Sequence, residues 1–167
     1  MERTAEERAE LAGEEQPRGA CVAMRMILPA DANSHGTVFG GAVISEYDLA
    51  GATAARKFLG LSRLTTRHLS IDFTRSLYPG DVFTIYAELE KIGGSSVTIH
   101  LEGWRMSPEG FEERFSSVQV VFVYLSEDGR PRQISEEARA RAAQVAPWRS
   151  TSSQSISSQS ISSRSTS

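Results

Sequence analysis

Between Gly40 and Phe58 apolar residues recur at helical spacing, and after Gly60 the spacing changes to alternation and stays there. Leu69, Ile71 and Phe73 form one alternating run, and Phe83, Ile85, Ala87 and Leu89 a second. Val97, Ile99 and Leu101 form a third, and Val118, Val120, Phe122 and Tyr124 a fourth. Pro79-Gly80-Asp81, Gly93-Gly94 and Ser107-Pro108-Glu109-Gly110 separate these runs with turn chemistry suited to antiparallel neighbours. A first strand over residues 20–28, ended by Pro29, precedes the helix. The order is β-α-β-β-β-β, an α+β arrangement. One long helix that is apolar over most of its circumference cannot rest on a surface, so a curved antiparallel sheet is expected to wrap it.

The rest of the chain adds little to that core. With 167 residues, of which 40% are hydrophobic and 23% charged, there is material for one domain. Residues 1–17 are expected to be flexible or short-helical, residues 18–134 to form the domain, and residues 135–149 an exposed C-terminal helix capped by Ser135 and stopped near Pro147. In residues 150–167, 13 of 18 positions are Ser or Thr and SSQSI occurs twice, a composition that reads as a disordered tail. Eighteen basic residues face 21 acidic ones, which argues against nucleic acid as a partner. No window approaches ~18 consecutive apolar residues, and the N-terminus lacks the apolar stretch of a signal peptide. The expectation is a soluble, cytoplasmic protein without a membrane partner. The lone cysteine, Cys21, excludes an intramolecular disulfide and a multi-cysteine zinc site. No ligand cluster of suitable spacing suggests a metal or redox cofactor, so none is expected.

One residue resists the pattern. Stepping about 100° per residue from Asp48 puts Ile44 near −40°, Gly51 near −60°, Ala52 near 40° and Ala55 near −20°. Asp48 is thereby placed in the middle of the apolar, small-residue face, while Glu46, Thr53 and Lys57 gather on the opposite side. A carboxylate on a buried face costs several kcal/mol unless it is hydrogen-bonded or employed, so Asp48 either braces a neighbouring loop or does chemistry. Upstream, Gly40-Gly41 opens the helix, leaving backbone N–H groups approachable at its positive end. Tight packing of the helix start would use the same glycines. His35, beside Gly36, reads as a loop histidine.

These residues resemble the hotdog-fold acyl-CoA thioesterases, especially the bacterial broad-range acyl-CoA hydrolases, with a second likeness to the phenylacetate-pathway type. The likeness covers roughly residues 22–134 and is carried by Pro29-Ala-Asp-Ala-Asn33-x-x-Gly36-x-x-Phe39-Gly40-Gly41 and Asp48-x-Ala-Gly51-Ala52. Pro79-Gly80-Asp81 and the closing segment from Phe122 to Arg132 support it. The resemblance implies a hotdog fold in a homodimer or higher homo-oligomer, with active sites at the subunit interface and an acyl-CoA substrate. It puts Asp48 at the carboxylate that acts as general base or nucleophile, Asn33 at the polar residue that positions thioester or water, and Gly40 at the N–H that polarises the carbonyl. Thr66 matches a Ser/Thr that steadies the water in the phenylacetate-pathway relatives. Phe39 stands where that type has His, and Ser76 where a Pro is common.

Thioester hydrolysis develops negative charge on the carbonyl oxygen, which an N–H at a helix start can meet, and a carboxylate can activate water or attack directly. CoA phosphates need cations, and the candidates are Arg67, Arg75, Lys91 and Arg105, with Gly41 and the Gly93-Gly94-Ser95-Ser96 turn as N–H donors. Two other readings stay open. A hotdog hydratase or dehydratase needs a His paired with an acid; of the histidines His35, His68 and His100, the last two fall on expected strands in phase with polar neighbours and none lies on the helix near Asp48. A non-catalytic acyl-CoA or lipid-binding module would tolerate an apolar residue at position 48.

Overall fold

The computed structural model describes residues 16–149. The expectations for the N-terminal helix up to residue 15 and for the Ser-rich tail lie outside the described residues. Strand β1 spans Ala20–Met26, helix α1 Gly40–Leu59, β2 Leu64–Phe73, β3 Val82–Ile92, β4 Ser96–Met106, β5 Glu112–Tyr124 and helix α2 Glu136–Val145. The strands form one sheet in the order β1-β3-β4-β5-β2, with every neighbouring pair antiparallel. β2 is therefore an edge strand, although it follows the helix directly in sequence.

The alternating runs explain which face of the sheet meets α1. Phe83, Ile85, Ala87 and Leu89 of β3, Val97, Ile99 and Leu101 of β4, and Phe115, Val118, Val120 and Phe122 of β5 are buried in one cluster with Tyr47, Ala54, Ala55 and Phe58 of the helix. Small residues on the helix let it come close. A Cβ at Gly51 would lie 2.8 Å from Val120 Cγ1 and 2.9 Å from Phe122 Cε2, so only glycine permits this approach. On the sheet, Gly103 leaves the space that the Tyr47 hydroxyl occupies, where it is hydrogen-bonded to Ser116 Oγ. Burial pushes the Tyr47 hydroxyl far above its ordinary pKa of 10.0, so it stays a neutral partner for Ser116.

Two expectations need correction. The first strand stops at Met26 rather than residue 28, because Ile27 already turns to exchange backbone bonds with Gly80 and Asp81. The C-terminal helix is capped as expected, Ser135 Oγ accepting from the Ala138 N–H at 3.2 Å, but it is not merely exposed. Ala138 and Ala142 are buried, and Arg141 donates to the Lys57 carbonyl at 3.1 Å, so α2 packs on α1. Beyond it, the Leu89 N–H donates to the Pro147 carbonyl at 2.7 Å and the Arg149 N–H to the Leu89 carbonyl at 2.9 Å, adding a short parallel bridge to β3.

Candidate active site

Helix α1 begins without a cap. Phe39 sits at the N-cap position with no side-chain hydrogen bond, and no acidic residue occupies the first turn. Gly40 and Gly41 are exposed; nothing lies within 4 Å of where a Gly41 Cβ would be, and Phe73 Cε2 lies 3.9 Å from that of Gly40. The Gly40 and Gly41 N–H groups bond to no described residue at the positive end of a 20-residue helix, the Ala42 N–H turning back to the Phe39 carbonyl at 3.0 Å.

Asp48 stands eight residues further on, half-buried. The buried face of α1 is centred on Tyr47, Ala54 and Phe58, so Asp48 lies at its rim and not in its middle as the residue pattern suggests. The reason is that the sheet covers only one flank of the helix: Ile44 is 37% exposed and Leu49 66% exposed, on the side where apolar character alone implies burial. At that rim the Thr66 hydroxyl, from β2, donates to Asp48 Oδ1. Thr66 reaches the helix because β2 carries a bulge between Thr66 and His68, where Thr66 pairs with Phe122 and His68 with Val121.

Asn33 is not joined to that pair. Its Oδ1 accepts from the backbone N–H of His35 at 2.9 Å and of Thr37 at 3.2 Å, and its Nδ2 donates to Thr37 Oγ1 at 3.0 Å, closing its own loop. Arg25 ties this loop to the helix, with Nη2 2.6 Å from Asp31 Oδ2 and Nη1 3.0 Å from Glu46 Oε1. The Leu28 N–H, followed by Arg25, holds the Asp31 carboxyl below its ordinary 3.8.

The expected phosphate-binding cations divide. Arg75 Nε lies 2.7 Å from Glu113. Arg105, mostly buried, contacts Glu113 at 2.9 Å and Asp81 at 3.4 Å, donates to the Ser76 carbonyl at 2.9 Å and lies over the Tyr78 ring, so it braces the turn before β3. Arg67 and Lys91 are exposed, with no ion pair to a described residue. The 93–96 turn is partly engaged: the Gly94 carbonyl accepts from Ile134, the Ser95 carbonyl from Tyr124, and the Gly93 carbonyl from Arg139 Nη2 at 2.6 Å.

A second polar group went unread in the sequence. His100 and Glu102 alternate with core-facing Ile99 and Leu101, so they lie on the sheet face away from α1, yet His100 is only 3% exposed. Arg149 Nη1 is 2.5 Å from His100 Nδ1, and Glu102 accepts from Trp104 Nε1 and Arg114 Nη1, each at 3.3 Å. Burial raises the Glu102 carboxyl, but hydrogen bonding and the Arg114 charge outweigh it and leave it below 4.5. Nothing in an alternating strand announces such a network; it needs the C-terminal segment to fold back. Because His100 is on the far face, it does not supply Asp48 with the His–acid pairing that a hydratase requires. His35 and His68 are exposed. Among the described residues no group of three His, Cys, Asp or Glu could hold a metal ion, and no helix is long and apolar enough to cross a membrane.

Residues 35–110 match the thioesterase superfamily. The acyl-CoA thioester hydrolase YciA of Escherichia coli K12 is 32% identical over 125 residues, 72% of this chain and 95% of that protein. The chain belongs to the thioesterase superfamily. Among solved structures, the hexameric thioesterase from Yersinia pestis is similar at 31% identity and a TM-score of 0.69, covering 72% of this chain and 99% of that one. A hexameric hotdog-fold thioesterase of Campylobacter jejuni aligns at 28% identity and a TM-score of 0.67, over 75% and 97%. The five-stranded antiparallel sheet packed on one long helix is thus the hotdog arrangement of a thioesterase-superfamily chain.

Proposed function

We propose that this chain hydrolyses acyl-CoA thioesters to the free acid and CoA, in sites shared between two copies of itself. The observation that carries the reading is the half-buried Asp48 carboxylate held by Thr66, on the same helix as a bare N-terminus. The names of the similar proteins, acyl-CoA thioester hydrolase and thioesterase, give the substrate class.

Distance argues for sharing. Gly40 and Asp48 are eight residues apart, about 12 Å along a helix at ~1.5 Å per residue. A donor meeting the carbonyl oxygen and a base meeting the attacking water must both lie within hydrogen-bond reach of one small group, so the two cannot serve the same thioester from one helix. β2 supplies the remedy. It is an edge strand with its outer side unpaired, Thr66 lies beside Asp48 near its start, and Phe73 lies beside Gly40 at its end. Antiparallel pairing of β2 with its copy brings the Asp48–Thr66 end of one subunit next to the Gly40 end of the other. The exposed Met24, Met26, Leu28, Phe39 and Leu49 also favour an assembly, a homodimer or a higher homo-oligomer such as the hexamers of the relatives.

In that site the Gly40 N–H, with Gly41 beside it, meets the charge developing on the carbonyl oxygen. Asp48 takes a proton from the attacking water and passes it to the CoA thiolate as the C–S bond breaks, or it attacks the carbonyl itself, expelling the thiolate and forming an acyl anhydride that water then hydrolyses to the free acid, with release of a proton; Thr66 fixes the carboxylate's rotamer. Asn33 shapes the loop ahead of the oxyanion donors. Arg67 and Lys91 are available to the CoA phosphates, Arg75 shares its charge with Glu113, and Gly94 and Ser95 border the same end of the sheet. A cytoplasmic location accords with a CoA-ester substrate and a lone thiol at Cys21.

The test is an acyl-CoA panel in which free thiol is followed and hydration products are sought by mass. Asp48→Asn should keep the fold and lower turnover ~10²–10⁴-fold, the usual worth of a positioned acid–base group. Thiol release at the parent's rate from a folded Asp48→Asn variant refutes the assignment.

A further inference from the structure

We infer that Phe73 is a specificity-determining residue, a ring that limits branching next to the thioester carbonyl; the inference rests on the acyl-CoA hydrolysis proposed above. Phe73 is the last residue of β2 and is 44% exposed. Its ring edge lies 3.9 Å from where a Gly40 Cβ would stand, so a side chain at the first helical position would touch the ring and the hydrogen of Gly40 leaves that space free. An aromatic ring standing half in solvent at the end of an edge strand brings little hydrophobic stabilisation to its own subunit; its place is at the shared site proposed above, beside Gly40.

The backbone that carries the ring is held firmly. Phe73 pairs with Ser116 across the β2–β5 ladder, and the next two N–H groups, of Thr74 and Arg75, both donate to the Phe115 carbonyl, at 2.8 and 3.3 Å. Ser116 in turn is bonded to the buried Tyr47. The backbone under the ring is therefore fixed to β5 and through it to α1, while no described side chain stands within 4 Å of the Gly41 Cβ position on the other side of the helix start. One wall is closed and one is open.

A carbonyl oxygen bonded to the Gly40 N–H at ~2.9 Å carries its α-carbon within about 5 Å of that nitrogen. That is the region the Phe73 ring borders. A linear acyl chain presents a slim methylene there and can pass along the ring face, whereas an α-branched or directly attached aryl group meets the ring edge. The site should accept linear acyl-CoAs and discriminate against α-branched and aroyl ones.

The experiment compares kcat/KM for butyryl-CoA, isobutyryl-CoA and benzoyl-CoA in the full chain and in Phe73→Ala, Phe73→Leu and Phe73→Trp. The linear-to-branched ratio should fall about tenfold or more in Phe73→Ala, within the range one methylene commands in an apolar pocket. It should fall less in Phe73→Leu and rise in Phe73→Trp. Leu and Trp keep a large apolar group, so they test the idea if the Ala variant does not fold. Equal ratios in folded variants that still hydrolyse butyryl-CoA overturn the role of Phe73 and leave the hydrolase reading intact. A parent chain that releases no thiol from these three or from longer linear acyl-CoAs defeats the hydrolase reading itself.

Discussion

The separation of Gly40 and Asp48 can be tested by deleting each function in a different chain and mixing the chains. Gly40→Pro removes the first-turn N–H with little expected damage. Gly40 is the first helical residue, where proline's fixed φ fits and its missing donor breaks no helical bond. The preceding Phe39 already has φ −61° and ψ 128°, the extended conformation that a following proline demands. Space is available too, since the nearest atom to a Cβ there is 3.9 Å away. Loss of one oxyanion donor is worth roughly 2.7–4 kcal/mol, a fall of ~10²–10³ in turnover. Asp48→Asn alone should fall at least as far. If the two residues act about 12 Å apart in one chain but meet only across a pair of copies, a mixed dimer holds one site with both defects and one with neither. One site of two is intact in such a dimer, so thiol release from the isolated mixed species should recover to about half the parent's rate, tens to hundreds of times above either variant. The assay is co-expression with two different affinity tags, sequential purification to isolate the mixed species, and thiol release from butyryl-CoA. A verified mixed dimer no more active than its parents would refute the shared site.

Three further outcomes follow from individual contacts. Thr66→Val keeps shape but removes the donor to Asp48, so turnover should fall about tenfold, the worth of one hydrogen bond to a charged group; Thr66→Ser should restore most of it, and an unchanged Thr66→Val rate would contradict the contact. Gly51→Ala should destabilise the fold by about 1–3 kcal/mol in denaturant titration, because the overlap with Val120 and Phe122 exceeds the gain in helix propensity; a more stable variant would refute the packing. Asp31 has a folded pKa held below 3.8, so the unfolded chain binds its proton first and the stabilisation, present above the unfolded value, is lost as pH falls through the folded one. Asp31→Asn should therefore flatten the acid limb of stability below roughly pH 4, and superimposable acid limbs would remove Asp31 from the account.

The helix and its anomaly were legible because both rest on spacing. Gly40 to Phe58 keeps a period near 3.6, and a carboxylate among Ile44, Gly51 and Ala55 stands out against it. The observed helix runs Gly40–Leu59 and ends at Gly60, one residue from that reading. What spacing could not give was the side of the helix left open, since apolar residues read alike whether their own sheet or another copy covers them; Ile44, exposed in the fold, helped make Asp48 look central when it is at the rim. β2 shows the same limit. Its alternation is visible only from Leu69, yet the strand begins at Leu64, because the bulge after Thr66 breaks the pattern. The His100–Glu102 pair was hidden for a third reason: its burial depends on Arg149, nearly fifty residues away in sequence, and no local pattern carries that.

The bulge in β2 also governs how this strand tolerates a change in length. A strand keeps its facing by counting in twos, and the ladder passes directly from Thr66 to His68, leaving Arg67 uncounted. Leu64 and Leu69 are both half-buried although one number is even and the other odd, which is the mark of that skipped place. Removing Arg67 should therefore leave Thr66 still turned toward Asp48 and Phe73 still against Gly40, whereas removing Ser70, a residue the ladder does count, should turn one half of the strand inside out. Position 67 is thus the one place in β2 where the chain can be shortened by a residue without exchanging its inner face for its outer one.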